Sequence, residues 1–321
     1  GSLTLTNTTV KVGSTVEIPR AVQPSALNSY GIEWSSNNTT IATVGASTGL
    51  VKGIKEGTAT ITAKISGTSI SKTCTVTVID DLVINDDEMV VAKGNSRNIN
   101  FTYSGDISNL TATSSSDNCS VSISGNNIVV TGKINGEATI TVRNKNTNKQ
   151  DTIKVIVMDF SMSGYPQVVP GQMIATQVSN LPSTLTGGVY TYKSLNDNIA
   201  TVSSGGIVTA KAIGTATIQV TLTKDGQSIT HSNVLNVVQG TTTITGPYGD
   251  NLTNAKIDTV VGHLPIALKA GSSSSTAGFL WSSNNSQVAS VDSNGNVKIV
   301  GAGQAIISLR NTVGSTVTVT I

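Results

Sequence analysis

The chain has 321 residues, a formal net charge of +2, 12% charged residues and 3% aromatics. Near-neutrality without a Lys/Arg block excludes the electrostatic footprint of a nucleic-acid binder or a polybasic membrane binder. No apolar run approaches the roughly 18 residues that a membrane-spanning helix requires.

The composition is rich in Thr, Ser, Val and Asn, with 31 Gly. β-Branched residues suit a pleated, half-buried surface, and no stretch carries the 3.6-residue period of a long helix. Gly1-Ser2 reads as a protease scar, and there is no signal peptide, so the natural protein is expected to be longer at both ends.

In chain order, the first strong pattern is Trp34-Ser35-Ser36-Asn37-Asn38, followed by Ile41-Ala42-Thr43-Val44. Next come Gly49-Leu50-Val51-Lys52-Gly53, then Gly57-Thr58-Ala59-Thr60-Ile61. The segment closes on Cys74-Thr75-Val76-Thr77-Val78, whose period of two marks a strand with one buried face. Trp34 is expected to anchor the core between two sheets. Cys74, on the same face as Val76 and Val78, is expected to act as a small buried hydrophobe.

Asp80 and Asp81 follow, and Asp86-Asp87-Glu88 lie just beyond. Carboxylates at such a junction are candidates for a Ca²⁺ site that stiffens the linker, weighed against solvated turns. The second junction keeps only Asp159 and the third has Gln239-Gly240, so a repeated calcium clamp is not expected.

The second copy is degenerate. Thr113 stands in the place of the tryptophan, with Val121-Ser122-Ile123 behind it, and Gly136-Glu137-Ala138-Thr139-Ile140 repeats the glycine-led strand. Its last alternation, Ile153 to Val157, aligns Ile153 with Cys74. Cys119 falls near the position of Ile41, so the two thiols belong to different copies and are predicted to stay free. The third copy places Tyr192 in the aromatic position, then Ile199-Ala200-Thr201-Val202, Gly206-Ile207-Val208-Thr209-Ala210 and Gly214-Thr215-Ala216-Thr217-Ile218.

The fourth copy restores Trp281-Ser282-Ser283-Asn284-Asn285, with Gly295 to Ile299 and Gly303 to Ile307 behind it. From junction to aromatic it takes 42 residues, against 33 in the second and third copies. The extra length holds Gly246 to Asn251 and the run Ser272 to Ser275. Tyr248, Asp250 and Asn251 are the candidate ligand-binding residues there, because loops on a rigid scaffold often carry recognition. The plain alternative is a longer hairpin tip without a ligand.

The four glycines Gly57, Gly136, Gly214 and Gly303 are spaced by 79, 78 and 89 residues. A repeat of about 80 residues made of short strands and Gly/Asn/Ser turns is read as one sandwich per copy. The predicted domains are 1–79, 80–158, 159–238 and 239–321. These phrases resemble the group 2 bacterial immunoglobulin-like domain family. The resemblance implies an all-β chain of four tandem immunoglobulin-like β-sandwich domains arranged end to end. It defines no catalytic residues.

Only His231 and His263 could serve as a catalytic base, and they lie in different copies without a Gly-x-Ser-x-Gly phrase. No enzyme activity, zinc site or cofactor is expected. The resemblance implies a structural or adhesive segment of a bacterial cell-surface or secreted protein. The alternatives are a bacteriophage virion protein contacting the host surface and an accessory module of a glycan-processing enzyme. The expected partner is a host-surface or cell-wall glycan or protein, with no nucleic acid and no membrane insertion.

Overall fold

The structure is a computed structural model that describes residues 1–321. It consists of short strands and two 3₁₀ turns, with no α-helix. Its buried apolar residues gather in four hydrophobic clusters. Two of them lie in a compact unit formed by 1–159 and 181–186, and two in a second unit formed by 160–180 and 187–321.

In the first cluster the larger sheet runs in the order Thr8–Lys11, Ser71–Ile79, Gly57–Ile65, Ile32–Ser36. The facing sheet is Thr15–Glu17, Leu50–Gly53, Ala42–Val44. Thr8–Lys11 pairs in parallel with the last strand while the other pairings are antiparallel. Alternation fixes which residues face inward. On Gly57–Ile65 the side chains of Ala59, Ile61, Ala63 and Ile65 are buried, and the threonines between them point the other way. Their partners Val76 and Cys74 fill the same core.

The second cluster repeats this order. Glu88–Ala92, Gln150–Met158, Gly136–Asn144 and Leu110–Ser114 form the larger sheet, again with a parallel first pair. The unit 160–180 with 187–321 thins the pattern. Around the third cluster the parallel strand shrinks to one bridge, Val168 with Val237. Around the fourth it becomes a bridge between Lys256 and Thr320.

Two glycine positions explain much of the repeat. Gly57, Gly136, Gly214 and Gly303 have φ between 141° and 146°, a region that side chains with a Cβ rarely adopt. A Cβ there would sit 2.9 Å from Ile41, Ile199 or Val288, and 2.6 Å from Asn118 in the second copy. The glycine and the residue that closes over it are therefore one packing unit. This register also places Cys119, expected near the Ile41 position, to the residue. Cys119 pairs with Gly132 as Ala42 pairs with Gly53, so it occupies the Ala42 position and Asn118 that of Ile41.

The second position is the turn glycine beneath the aromatic. A Cβ on Gly49 would lie 2.7 Å from the Trp34 ring, on Gly206 2.9 Å from Tyr192, and on Gly295 3.0 Å from Trp281. All three glycines have positive φ, between 73° and 87°. The aromatic thus lies flush against a bare backbone, which brings two segments close together. Trp34 is 5% exposed, whereas Tyr192 and Trp281 are half-buried. The Arg20 guanidinium lies 5.7 Å from the centroid of the Trp34 ring. In the second copy the register corrects the expected Thr113: Ala112, opposite Val142 as Trp34 is opposite Ala63, takes the aromatic position and Thr113 points outward, while the turn glycine Gly125 has open space above it.

Candidate functional site

The extra length of the fourth copy forms a built structure. Thr242–Thr245 pairs with Lys269–Ser272, and the chain then turns tightly at Gly246–Gly249. The Gly246 N–H donates to Asp250 O at 2.9 Å and the Gly249 N–H to Gly246 O at 3.1 Å. Gly249 has φ +88°, and Pro247 presets the turn that holds Tyr248 at its tip. Tyr248 is 97% exposed. Thr245 and Asn251 form an antiparallel bridge that closes this small hairpin, and Asn251 Oδ1 accepts from Thr253 N at 3.0 Å.

The segment then follows the outer edge of the Thr316–Thr320 strand. Asn254 N–H donates to Thr318 O, Ile257 N–H to Thr320 O and Thr320 N–H to Ala255 O. This lacing fixes one wall of a cleft of about 730 Å³. Tyr248, Asp250, Lys256, Asp258, His263 and Leu264 line it, among other residues. A second cleft of about 430 Å³ shares the Lys256–Asp258 wall and reaches Gly301–Gly303. Tyr248 and Asp250 thus meet at one cleft, while Asn251 serves the hairpin beside it. Sequence reasoning missed His263 and Leu264 as neighbours of Tyr248. Their separation of fifteen residues carries no motif, and only the lacing along the strand edge brings them together.

Within the cleft the Lys256 ammonium pairs with Asp258 at 2.7 Å. His263 Nδ1 is 2.6 Å from Leu264 O, an acceptor, so Nδ1 donates there, and in the neutral imidazole Nε2 is the accepting nitrogen. Ser274, in the expected insertion run, is instead 5% exposed and donates to Pro170 O. His231 sits on the Gln227–Val237 strand, with its ring edge-on to Phe160 at 4.7 Å.

The junction carboxylates diverge. Asp80 is 3% exposed; its carboxylate accepts from Leu82 N at 3.1 Å, from Asn144 Nδ2 at 2.9 Å and from Thr147 Oγ1. Asp81 pairs with Lys11 at 2.9 Å and accepts from both the N–H and the hydroxyl of Ser104. Burial raises the Asp81 pKa, but the two Ser104 bonds and the Lys11 ammonium outweigh it and hold the carboxyl below its usual range. Both carboxylates are thus engaged by protein donors. Cys74 and Cys119 are buried in separate cores, and burial pushes the Cys74 thiol upward.

The profile of the bacterial Ig-like domain (group 2) family matches residues 2–76 and 163–231. A 3-O-alpha-D-galactosyl-alpha-L-arabinofuranosidase from Bifidobacterium longum subsp. longum is 38% identical over 73 residues, covering 22% of this chain and 6% of that protein. Among solved structures, domains 4 and 5 of the S-layer protein SbsC are 21% identical, covering 43% of this chain and 81% of that one, with a TM-score of 0.23. The I9–I11 tandem of titin is 10% identical, covering 74% of this chain and 99% of that one, with a TM-score of 0.34. Over residues 2–76 and 163–231 the chain is similar to the group 2 bacterial Ig-like domain family.

Proposed function

We propose that the chain is a non-catalytic structural and adhesive segment of a bacterial cell-surface or secreted protein. Its repeated sandwiches act as spacers, with the predicted domains 1–79, 80–158, 159–238 and 239–321 as the units, and its fourth copy makes contact with the target. The observation that carries this reading is the division of labour in the fold. The first, third and fourth copies share the glycine–aromatic and glycine–aliphatic packing of their repeated phrases, and the fourth alone adds a hydrogen-bonded extension with an exposed aromatic tip. The junction within the first unit supports a spacer role, because Asp80 and Asp81 are tied to residues on both sides of it.

An accessory module of a larger glycan-processing enzyme is the second reading, favoured by the 73-residue match to the arabinofuranosidase. The test is to incubate the chain with purified bacterial envelopes and with a panel of aryl glycosides. Retention on envelopes without release of the aryl group is expected. Turnover of any glycoside contradicts the non-catalytic reading, and failure to be retained contradicts the adhesive one.

A further inference from the structure

Three of the four most exposed large apolar side chains in the molecule belong to one short segment: Tyr248 at 97%, Leu264 at 79% and Val260 at 68%. Tyr248 and Leu264 line the larger cleft, while Val260 and Val261, the latter 57% exposed, line the smaller one that shares its Lys256–Asp258 wall. Single exposed apolar residues are ordinary, but a concentration of them on one rigid element marks a binding surface. The scaffold is preorganised: the turn at Gly246–Gly249 is hydrogen-bonded, and Asn254–Ile257 is laced to a strand edge. A ligand would therefore pay little ordering entropy on binding.

The size and charge of the cleft select the occupant. Its volume of about 730 Å³ falls within the 300–1,000 Å³ typical of small-ligand sites. A stable protein partner needs roughly 800 Å² of contact on each side, more than one hairpin tip supplies. Asp250 and Asp258 face the cleft with Lys256 as its one cation, already paired to Asp258. That balance disfavours an anionic lipid surface or an acidic sugar. What remains is a ligand with apolar C–H faces and many neutral hydroxyls.

We propose that this cleft binds a neutral oligosaccharide, with the C–H face of one pyranose stacked on the Tyr248 ring. Sugar hydroxyls donate to the Asp250 carboxylate and to His263 Nε2, and Leu264 packs against the opposite apolar edge. The inference rests on the adhesive reading given above and assigns its ligand class.

The experiment uses the full chain on a printed array of neutral oligosaccharides built from glucose, galactose, mannose and N-acetylhexosamines. Sialylated and sulfated glycans and phosphatidylglycerol vesicles serve as the contrasting probes. Capture of neutral glycans is expected. Tyr248→Ala should weaken it at least tenfold, Tyr248→Phe by no more than about threefold, and Asp250→Asn by an intermediate factor. Because Tyr248 is exposed, the alanine variant should melt like the parent, which separates loss of binding from loss of fold. Equal capture by parent and Tyr248→Ala, absence of any neutral glycan among the hits, or preference for the acidic glycans or vesicles overturns the proposal. Retention on envelopes distinguishes its failure from that of the broader reading. If Tyr248→Ala is retained like the parent while the neutral array stays blank, the glycan site is wrong and the adhesive role stands.

Discussion

The first and second cores close the same hairpin in opposite ways. Eight residues after the positive-φ glycine stands Ile65 in the first core and Asn144 in the second, and both are 0% exposed. Ile65 simply joins the apolar cluster and leaves the turn to Thr68, whose N–H and hydroxyl both donate to Ile65 O. Asn144 makes the turn itself, accepting from Asn146 N at 3.0 Å while donating to Asp80 and to Tyr103 OH. The other unit shows the same alternation. Leu222 is buried in the third copy, and Asn311 in the fourth donates to Thr242 and Ser272 and accepts from Val313 N. One position therefore decides whether the end of a sandwich is sealed by packing or by a buried amide. The amide version ties the hairpin to the residue that opens the copy, Asp80 or Thr242. The two stretches matched by the family profile are those with the apolar version.

Exchanging the two chemistries should produce the largest effect. Ile65→Asn places an amide among apolar neighbours with no equivalent of Asp80 to meet it. Lost burial and an unsatisfied polar group together should destabilise the first core by about 4 kcal/mol. Chemical denaturation followed by Trp34 fluorescence reads this directly, and a loss below about 1 kcal/mol would show that the site accommodates an amide.

The contrast between aromatic-covered and open glycines comes next. Gly49→Ala forces a Cβ into positive φ and into the Trp34 ring, which should cost about 3 kcal/mol. Gly125→Ala meets the same kind of backbone but open space, and about 1 kcal/mol is expected. Equal losses in thermal melts would mean that backbone strain alone explains the repeat glycine.

The two amides should differ from each other. Asn144→Ala strips a donor from the buried Asp80 carboxylate and should cost about 2–3 kcal/mol. Asn311→Ala strips donors from two hydroxyls only, and about 1 kcal/mol is expected. Hydrogen exchange across the two hairpins resolves them, and the reverse ranking would contradict the role given to Asp80.

The smallest effect is a pH dependence. The folded pKa of Asp81 lies below its unfolded value of about 3.9. Its contribution to stability is therefore present above pH 4 and is lost as the pH falls through the lower folded value. Asp81→Asn should remove that part of the acid limb, so that parent and variant differ at pH 6 and converge once the pH has fallen below the lowered folded pKa. A constant difference across that range would show that Asp81 does not titrate in this way.

Much of the fold was legible in the residues. Period-two alternation located the inward faces, as with Ala59, Ile61 and Ala63, and the aligned ends placed Cys74 in the row of Ile153. Packing across the sandwich was not legible. Nothing in the sequence says that Gly49 lies beneath Trp34, or that Asn144 reaches back sixty-four residues to Asp80. The junction carboxylates looked alike in sequence, yet one is buried in an amide network and the other pairs with Lys11, because adjacent residues in extended chain point in opposite directions. The candidate site was half legible. Tyr248 and Asp250 stood out by the length of their loop, whereas His263 and Leu264 joined them only through bonds to a strand edge.

The central claim is that the chain is a series of separately cored units suited to spacing and display. Single-molecule pulling from the two ends tests it most directly. The account predicts four unfolding events, each releasing about 80 residues, or roughly 27 nm of contour, with Ile65→Asn lowering the force of one event and leaving the other three unchanged. Two events of double length, or a single cooperative rupture, would contradict it.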